Sequence, residues 1–201
     1  MIKHNKKLNF SLFIFIIFSI TAICFDNSKS YAQTEPQTIE AIEYEGNVEY
    51  KTAEEWLPLK EKGTDISGEL MLKTNEDSTA KLQMPFDNLI KMYPSTIAKS
   101  TNSNFNLIHG EISTAISILG RARLEIRVSN VKIIGQSGLF KVLYNQERDL
   151  GEVIVKNGLI EVYNTNENSK PIKLSGFYKI SFEKGNIQKP TQASVIQYDW
   201  R

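Results

Sequence analysis

The sequence predicts an all-β domain, either a twisted β-sandwich or an irregular solenoid-like β fold. Three observations predict it. Apolar and polar residues alternate with period two in one run after another from Thr38 onward, the pattern of strands with one face buried. A unit Gly-x-apolar-x-apolar recurs at seven of the eleven glycines. Beyond the N-terminal segment no stretch carries a persuasive helical stripe.

The first segment, residues 1–32, reads as a signal peptide outside that fold. Lys3, Lys6 and Lys7 form a positive n-region, followed by an apolar run from Phe10 to Phe25. That run is shorter than the ~20 residues that cross a bilayer comfortably. Ser30-Tyr31-Ala32 places small residues where a signal peptidase requires them, so cleavage is expected between Ala32 and Gln33. No stable membrane span is then expected in the mature chain; a leader left uncleaved and kept as a membrane anchor is the alternative. Cys24, the only cysteine, lies in the leader, which leaves the mature protein no disulfide, thiol nucleophile or thiolate metal site. Loss of four lysines and one aspartate takes the net charge from +1 to −2. Such a balance offers no general attraction to nucleic acid or anionic lipid.

Residues 33–37 are polar and read as a disordered lead-in. The β domain is assigned to residues 38–201. Its first run puts Ile42, Tyr44, Val48 and Tyr50 on one parity and Glu43, Glu45, Asn47, Glu49 and Lys51 on the other. Ala80, Leu82 and Met84 follow, then Ala122, Leu124, Ile126 and Val128. Phe140 with Val142, Val153 with Val155, Ile160 with Val162, Ile172 with Leu174, and Tyr178, Ile180 and Phe182 complete the series. Residues 107–119 are ambiguous, because Ile112, Ala115, Ile116 and Leu119 would also share one side of a short helix. The recurring glycines are Gly46, Gly68, Gly120, Gly138, Gly151, Gly158 and Gly176. Glycine tolerates positive φ and turns the chain sharply before a strand. Asn157-Gly158 reads as a type I′ hairpin turn with Gly158 at positive φ. The flanking Val153, Val155, Ile160 and Val162 should then face one core, with Glu161 toward solvent.

The order of these motifs resembles the FecR domain family. Gly46-Asn47-Val48 and Trp56-Leu57-Pro58-Leu59 come first, then Leu70, Leu72 and the segment Lys73 to Leu82. The strand from Ile90 to Pro94 with Ser95, and Phe105-x-Leu107-x-x-Gly110-x-Ile112, follow in the family's order. Gly151 to Val162 is similar to its late Val-x-Val-x-x-Gly-x-Val-x-Val segment, and Ile172 to Gly176 to the Val-x-Leu-x-x-Gly after it. The resemblance spans roughly residues 44–182. One departure falls at Gly135 to Phe140, where the family's Arg-Gly-Thr-x-Phe lacks its arginine and has Leu139 for threonine. The resemblance implies an all-β domain outside the cytoplasm. In the best-known members it is the periplasmic half of a transmembrane regulator of a sigma factor. No sigma-binding segment is read in this chain, so the interaction module is the part expected to carry over.

The residues offer little chemistry. His109 is the lone histidine beyond the leader and cannot build a multi-histidine metal site; a structural role is expected of it. Glu54, Glu55, Glu61, Glu69, Glu76 and Asp77 are scattered turn carboxylates, with no pair marked out for glycoside hydrolysis. Asn75 to Ser78 is too sparse for an EF-hand loop, and neither a phosphate-binding glycine loop nor a serine nucleophile motif occurs. Arg121, Arg123 and Arg127 alternate with Ala122, Leu124, Ile126 and Val128, so they line the opposite face of one strand, with Glu125 among them. A guanidinium row can grip carboxylates or phosphates, pair internally, or guard an exposed sheet edge. Trp56 is expected to pack over a sheet end beside Leu57 and Leu59, and Trp200 is a second possible anchor. The expected function is a non-enzymatic periplasmic or extracellular module that binds an envelope protein or polymer, with no cofactor, no metal and no nucleic acid. A lipid-handling β-jelly-roll of envelope transport is the alternative; an apolar groove open to solvent would mark it, a filled sandwich core the first reading.

Overall fold

Alternation becomes strand in the computed structural model, which describes residues 38–51, 55–66, 69–101, 104–117, 123–166 and 170–194, all within one unit, Glu35–Arg201. In chain order the strands are β1 Glu40–Glu45, β2 Val48–Lys51, β3 Trp56–Pro58, β4 Thr64–Asp65, β5 Leu70–Thr74, β6 Thr79–Met84, β7 Asn88–Met92, β8 Ile97–Ser100, β9 Asn104–Ile116 and β10 Leu124–Val128. Then come β11 Val131–Asn145, β12 Leu150–Asn164, β13 Ile172–Ser175, β14 Tyr178–Glu183, β15 Asn186–Ile187 and β16 Thr191–Gln192. A 3-10 turn at Pro85–Asp87 is the only helical element among the described residues. The protein is all-β, a large open mixed sheet that does not close into a barrel.

Three long strands organise it. The first half of β9 pairs with β8 and β10; its second half pairs with β7 and β11. The first half of β11 lies beside β10 and the second beside β9, while β12 flanks it throughout. β12 in turn pairs with β14 through its first half and β13 through its second. Two layers result. Layer one runs β4, β1, β6, β7, second half of β9, second half of β11, first half of β12, β14, with β15 and β16 along its edge. Layer two runs β3, β2, β5, β8, first half of β9, β10, first half of β11, second half of β12, β13. The β9–β10 pairing is parallel and the others are antiparallel.

Each long strand changes layer at a glycine in the left-handed region: Gly110 at φ +103°, Gly138 at +99° and Gly158 at +90°. Inward parity flips at each. Phe105 and Leu107 point inward before Gly110, Ile112 and Ile116 after it. Val131 and Ile133 point inward before Gly138, Phe140 and Val142 after it. Val153 and Val155 precede Gly158, Ile160 and Val162 follow it. An extra residue in one strand bends it and exchanges its faces, which is what a β-bulge does. Gly138 and Gly158 stand opposite each other in register, so β11 and β12 turn the corner together.

Asn157-Gly158 is therefore not a hairpin turn. β11 continues alongside it, from Val131 opposite Asn164 to Asn145 opposite Leu150, so the chain does not reverse there. The reversal is the turn at residues 146–149, closed by the Asp149 N–H donating to the Gln146 carbonyl at 3.3 Å. Asn157 instead repairs the corner: the Leu139 N–H donates to its Oδ1 at 2.8 Å. The expected positive φ at Gly158 and the shared core of Val153, Val155, Ile160 and Val162 both hold. Glu161 is not solvent-facing but buried, because the Tyr163 hydroxyl donates to it at 2.7 Å and Lys173 lies over it.

Other departures have similar causes. β1 carries a register shift between Ala41 and Glu43, so Ile39 and Ala41 enter the core, Ile42 is only half-buried, and Tyr44 packs against the core's margin. Tyr178 begins β14 in an exposed position while Ile180 and Phe182 are buried. Residues 107–116 are strand, not helix, because β7, β8, β10 and β11 all pair with β9. Gly68, Gly120 and the lead-in 33–37 lie outside the described residues. The layers enclose one core that includes Phe105, Phe140 and Phe182, all fully buried. They meet so closely that a Cβ on Gly135 of layer two would sit 2.1 Å from Ile116 Cδ1 of layer one.

Candidate functional site

β10 lies inside layer two, between β9 and β11, so its charges do not guard a sheet edge. Its outward residues face solvent because Leu124, Ile126 and Val128 occupy the core side. Of the three arginines singled out in the sequence, Arg123 and Arg127 are exposed, and Arg121 lies outside the described residues. Arg127 Nε donates to Glu125 Oε1 at 2.6 Å, two residues back on the same face. Ala32, Gln33 and Trp200 also lie outside the described residues.

Register places further groups beside the arginines. Directly opposed residues of neighbouring strands point to the same side. One row across layer two reads Trp56, Lys51, Met71, Lys99, Asn106, Arg127, Lys132, Tyr163. Lys132 Nζ stands 4.9 Å from the Tyr163 ring centre, and Lys73, on the same face, 5.9 Å from that of Trp56. Trp56 thus sits on the outermost strand of the layer, near the place expected for it, with a lysine over its ring. Donation of the Tyr163 hydroxyl to Glu161 raises its pKa above the ordinary value. Arg127 also walls a groove of about 340 Å³ with Asn106, Leu107, Ile108, Ser129, Tyr144 and Gln146. Asn106 Oδ1 is buried there without a hydrogen-bond partner.

A second groove, of about 650 Å³, opens where β9 bends at Gly110. Tyr93, His109, Glu111, Leu143, Leu150, Glu152 and Ser181 contribute to its walls. Its carboxylates are engaged: Lys141 donates to Glu111 at 2.5 Å and Lys179 to Glu152 at 2.8 Å. Lys141 also stands 4.5 Å from the Tyr93 ring centre. Tyr144 belongs to both grooves; burial, then its hydrogen bond to Asp149 at 2.8 Å, raises its pKa. His109 accepts from the Gln146 N–H at 3.5 Å through Nδ1, a contact that joins β9 to the β11–β12 turn. Among the described residues no three metal-ligating side chains converge, and no helix is long and apolar enough to cross a membrane.

Neither groove was singled out in the sequence, and neither were Lys51, Lys99 or Lys132. The row draws on residues from 51 to 163, and only the pairing of strands brings them together. The signal available locally is the outward parity of each lysine within its own run.

No family model and no curated protein matches the chain. Two crystal structures of a candidate anti-sigma factor from Parabacteroides distasonis ATCC 8503 share the fold. Each has a TM-score of 0.53, at 16% identity in one and 15% in the other. The match covers 62% of this chain and 60% of those chains, so it extends over about three-fifths of their length.

Proposed function

We propose that the chain is an exported, non-enzymatic FecR-like module that binds another macromolecule of the bacterial envelope, in signalling or scaffolding. The observation that carries the reading is the fold it shares with the two structures described as a candidate anti-sigma factor. It agrees with the FecR-like order of motifs from residue 44 to 182. The filled core supports the same reading over a lipid-handling jelly-roll. Phe105, Phe140 and Phe182 occupy the space between the layers where an acyl chain would have to lie. The two grooves open on outer surfaces and carry charged side chains.

The experiment is affinity capture from the envelope fraction with residues 33–201 as bait, beside delipidated and protease-treated extracts. A stoichiometric envelope protein or polymer, competed by untagged module, is the expected result. Recovery of lipid alone, in proportion to bait, would overturn the reading in favour of lipid handling.

A further inference from the structure

We infer that the outer face of layer two is the docking face of this module and that its partner is a protein presenting an acidic surface. The inference rests on the reading of the chain as an interaction module and adds which face binds and by what chemistry.

The first observation is the depth of the charges. On this face Lys73 is 36% exposed over Glu49 at 24%, Arg127 53% over Glu125 at 22%, and Lys173 66% over Glu161 at 12%. Lys99 and Glu69 run the other way. On layer one Glu43 is more exposed than Lys81, Glu111 is more exposed than Lys141, and Lys179 and Glu152 are nearly equal. Coulomb energy falls with distance. At three of the four ion pairs of layer two a partner therefore meets the cation well before the sunken carboxylate, and at none of the three on layer one is the cation so far outermost. Lys51 and Lys132 add two more cations to layer two, their cross-strand neighbours being Trp56 and Met71 for the one and Arg127 and Tyr163 for the other, against Lys91 between Lys81 and Ser113 on layer one.

The second observation is composition. Trp56, Met71, Arg127 and Tyr163 share one transverse row, and aromatic residues, methionine and arginine are the types enriched where proteins meet. The row crosses eight strands, about 34 Å at ~4.8 Å per strand, which is the width of a protein footprint. Glu69, 74% exposed, stands among the cations beside Lys99. It would repel a uniform polyanion, whereas a protein surface of mixed sign can match both.

The test places a benzophenone amino acid at Met71 or Ile134 on layer two, and at Lys81 or Leu139 on layer one, in the full chain expressed in its envelope. Discrete protein adducts are expected from Met71 and Ile134 only, mapping to Asp- or Glu-bearing peptides of the partner. Their yield should fall at least tenfold with Lys99→Glu, Arg127→Glu and Lys132→Glu combined. It should be retained with Lys99→Arg, Arg127→Lys and Lys132→Arg, circular dichroism confirming the fold of both variants. Adducts from layer one alone, or indifferent to charge reversal, would overturn the inference and leave the module reading standing. Absence of adducts from all four positions would overturn both. Co-sedimentation with phosphatidylglycerol vesicles in place of protein adducts would overturn it in favour of a membrane.

Discussion

Replacing Gly158 by alanine tests the corner on which the two layers depend. Its φ of +90° lies beyond the centre of the left-handed well near +57°. A Cβ there costs about 1–3 kcal/mol in backbone strain alone. Space is also missing. The added carbon would stand 2.0 Å from the Ser137 carbonyl oxygen and 2.8 Å from Gly138 Cα, both main-chain atoms of the paired strand. Neither can swing aside as a side chain would, so β11 must move, at a further ~1–3 kcal/mol typical of overpacking. The expected loss is about 2–6 kcal/mol in urea unfolding of residues 33–201 followed by circular dichroism. Gly63→Ala is the control. Gly63 has φ +77° as well, but its Cβ would meet only the Glu40 carboxylate at 3.1 Å, the end of a flexible side chain. It should cost only the strain, about 1–2 kcal/mol. Equal losses in the two variants would refute the close approach of β11 and β12. So would strict additivity of Gly138→Ala with Gly158→Ala, because facing residues should couple.

Further outcomes follow from burial and ionisation. Val155→Asp should cost about 3–5 kcal/mol by leaving a carboxylate unpaired at a fully buried position. Glu161→Gln should cost about 1 kcal/mol through loss of the charged acceptor for Tyr163, and the same urea titration orders the two. The pKa of Tyr144 is raised, first by burial and then by Asp149. Its contribution to stability is whole below the unfolded value near 10 and is lost as pH climbs through the folded value, because the unfolded chain releases its proton first. Stability measured from pH 8 to 11 should decline less steeply in Tyr144→Phe. N-terminal sequencing of the protein recovered from an envelope fraction should begin at Gln33; an intact segment from Met1 to Ala32 would refute cleavage.

Strand identity was legible in the sequence because alternation reports burial directly: Leu82, Ile126, Val142 and Ile180 all enter the core their parity assigned them. Connection was less legible. Asn157-Gly158 has the composition of a hairpin turn, and nothing local distinguishes a turn from a bulge that bends one continuous strand. The parity switch does distinguish them in retrospect, since inward residues move from odd at Val153 and Val155 to even at Ile160 and Val162. The same switch marks Gly110 and Gly138. Arg127 was legible as an outward cation, while its groove was not, because Tyr144 and Gln146 reach it through the return of β11. Glu161 misled for a related reason. Outward parity predicts solvent only where no side chain beside the residue covers it, and Tyr163 on its own strand and Lys173 on the next cover Glu161.

The shared strands bear on how such a face would bind. β9, β11 and β12 carry hydrogen bonds in both layers, so sliding one layer over the other would break ladders at three glycine corners at once. Gly138 and Gly158 leave no slack for it, since each would meet the other's main chain on gaining a single carbon. A partner reaching layer two thus finds a preformed surface, with its side chains free to adjust and its backbone held. Association should then depend on charge steering more than on a conformational step. Added salt would slow the on-rate over the Debye range, and the Lys99→Glu, Arg127→Glu, Lys132→Glu combination would mimic that slowing at low salt. A salt-independent rate limited by a first-order rearrangement would place the flexibility in the module itself, contrary to what three continuous bent strands permit.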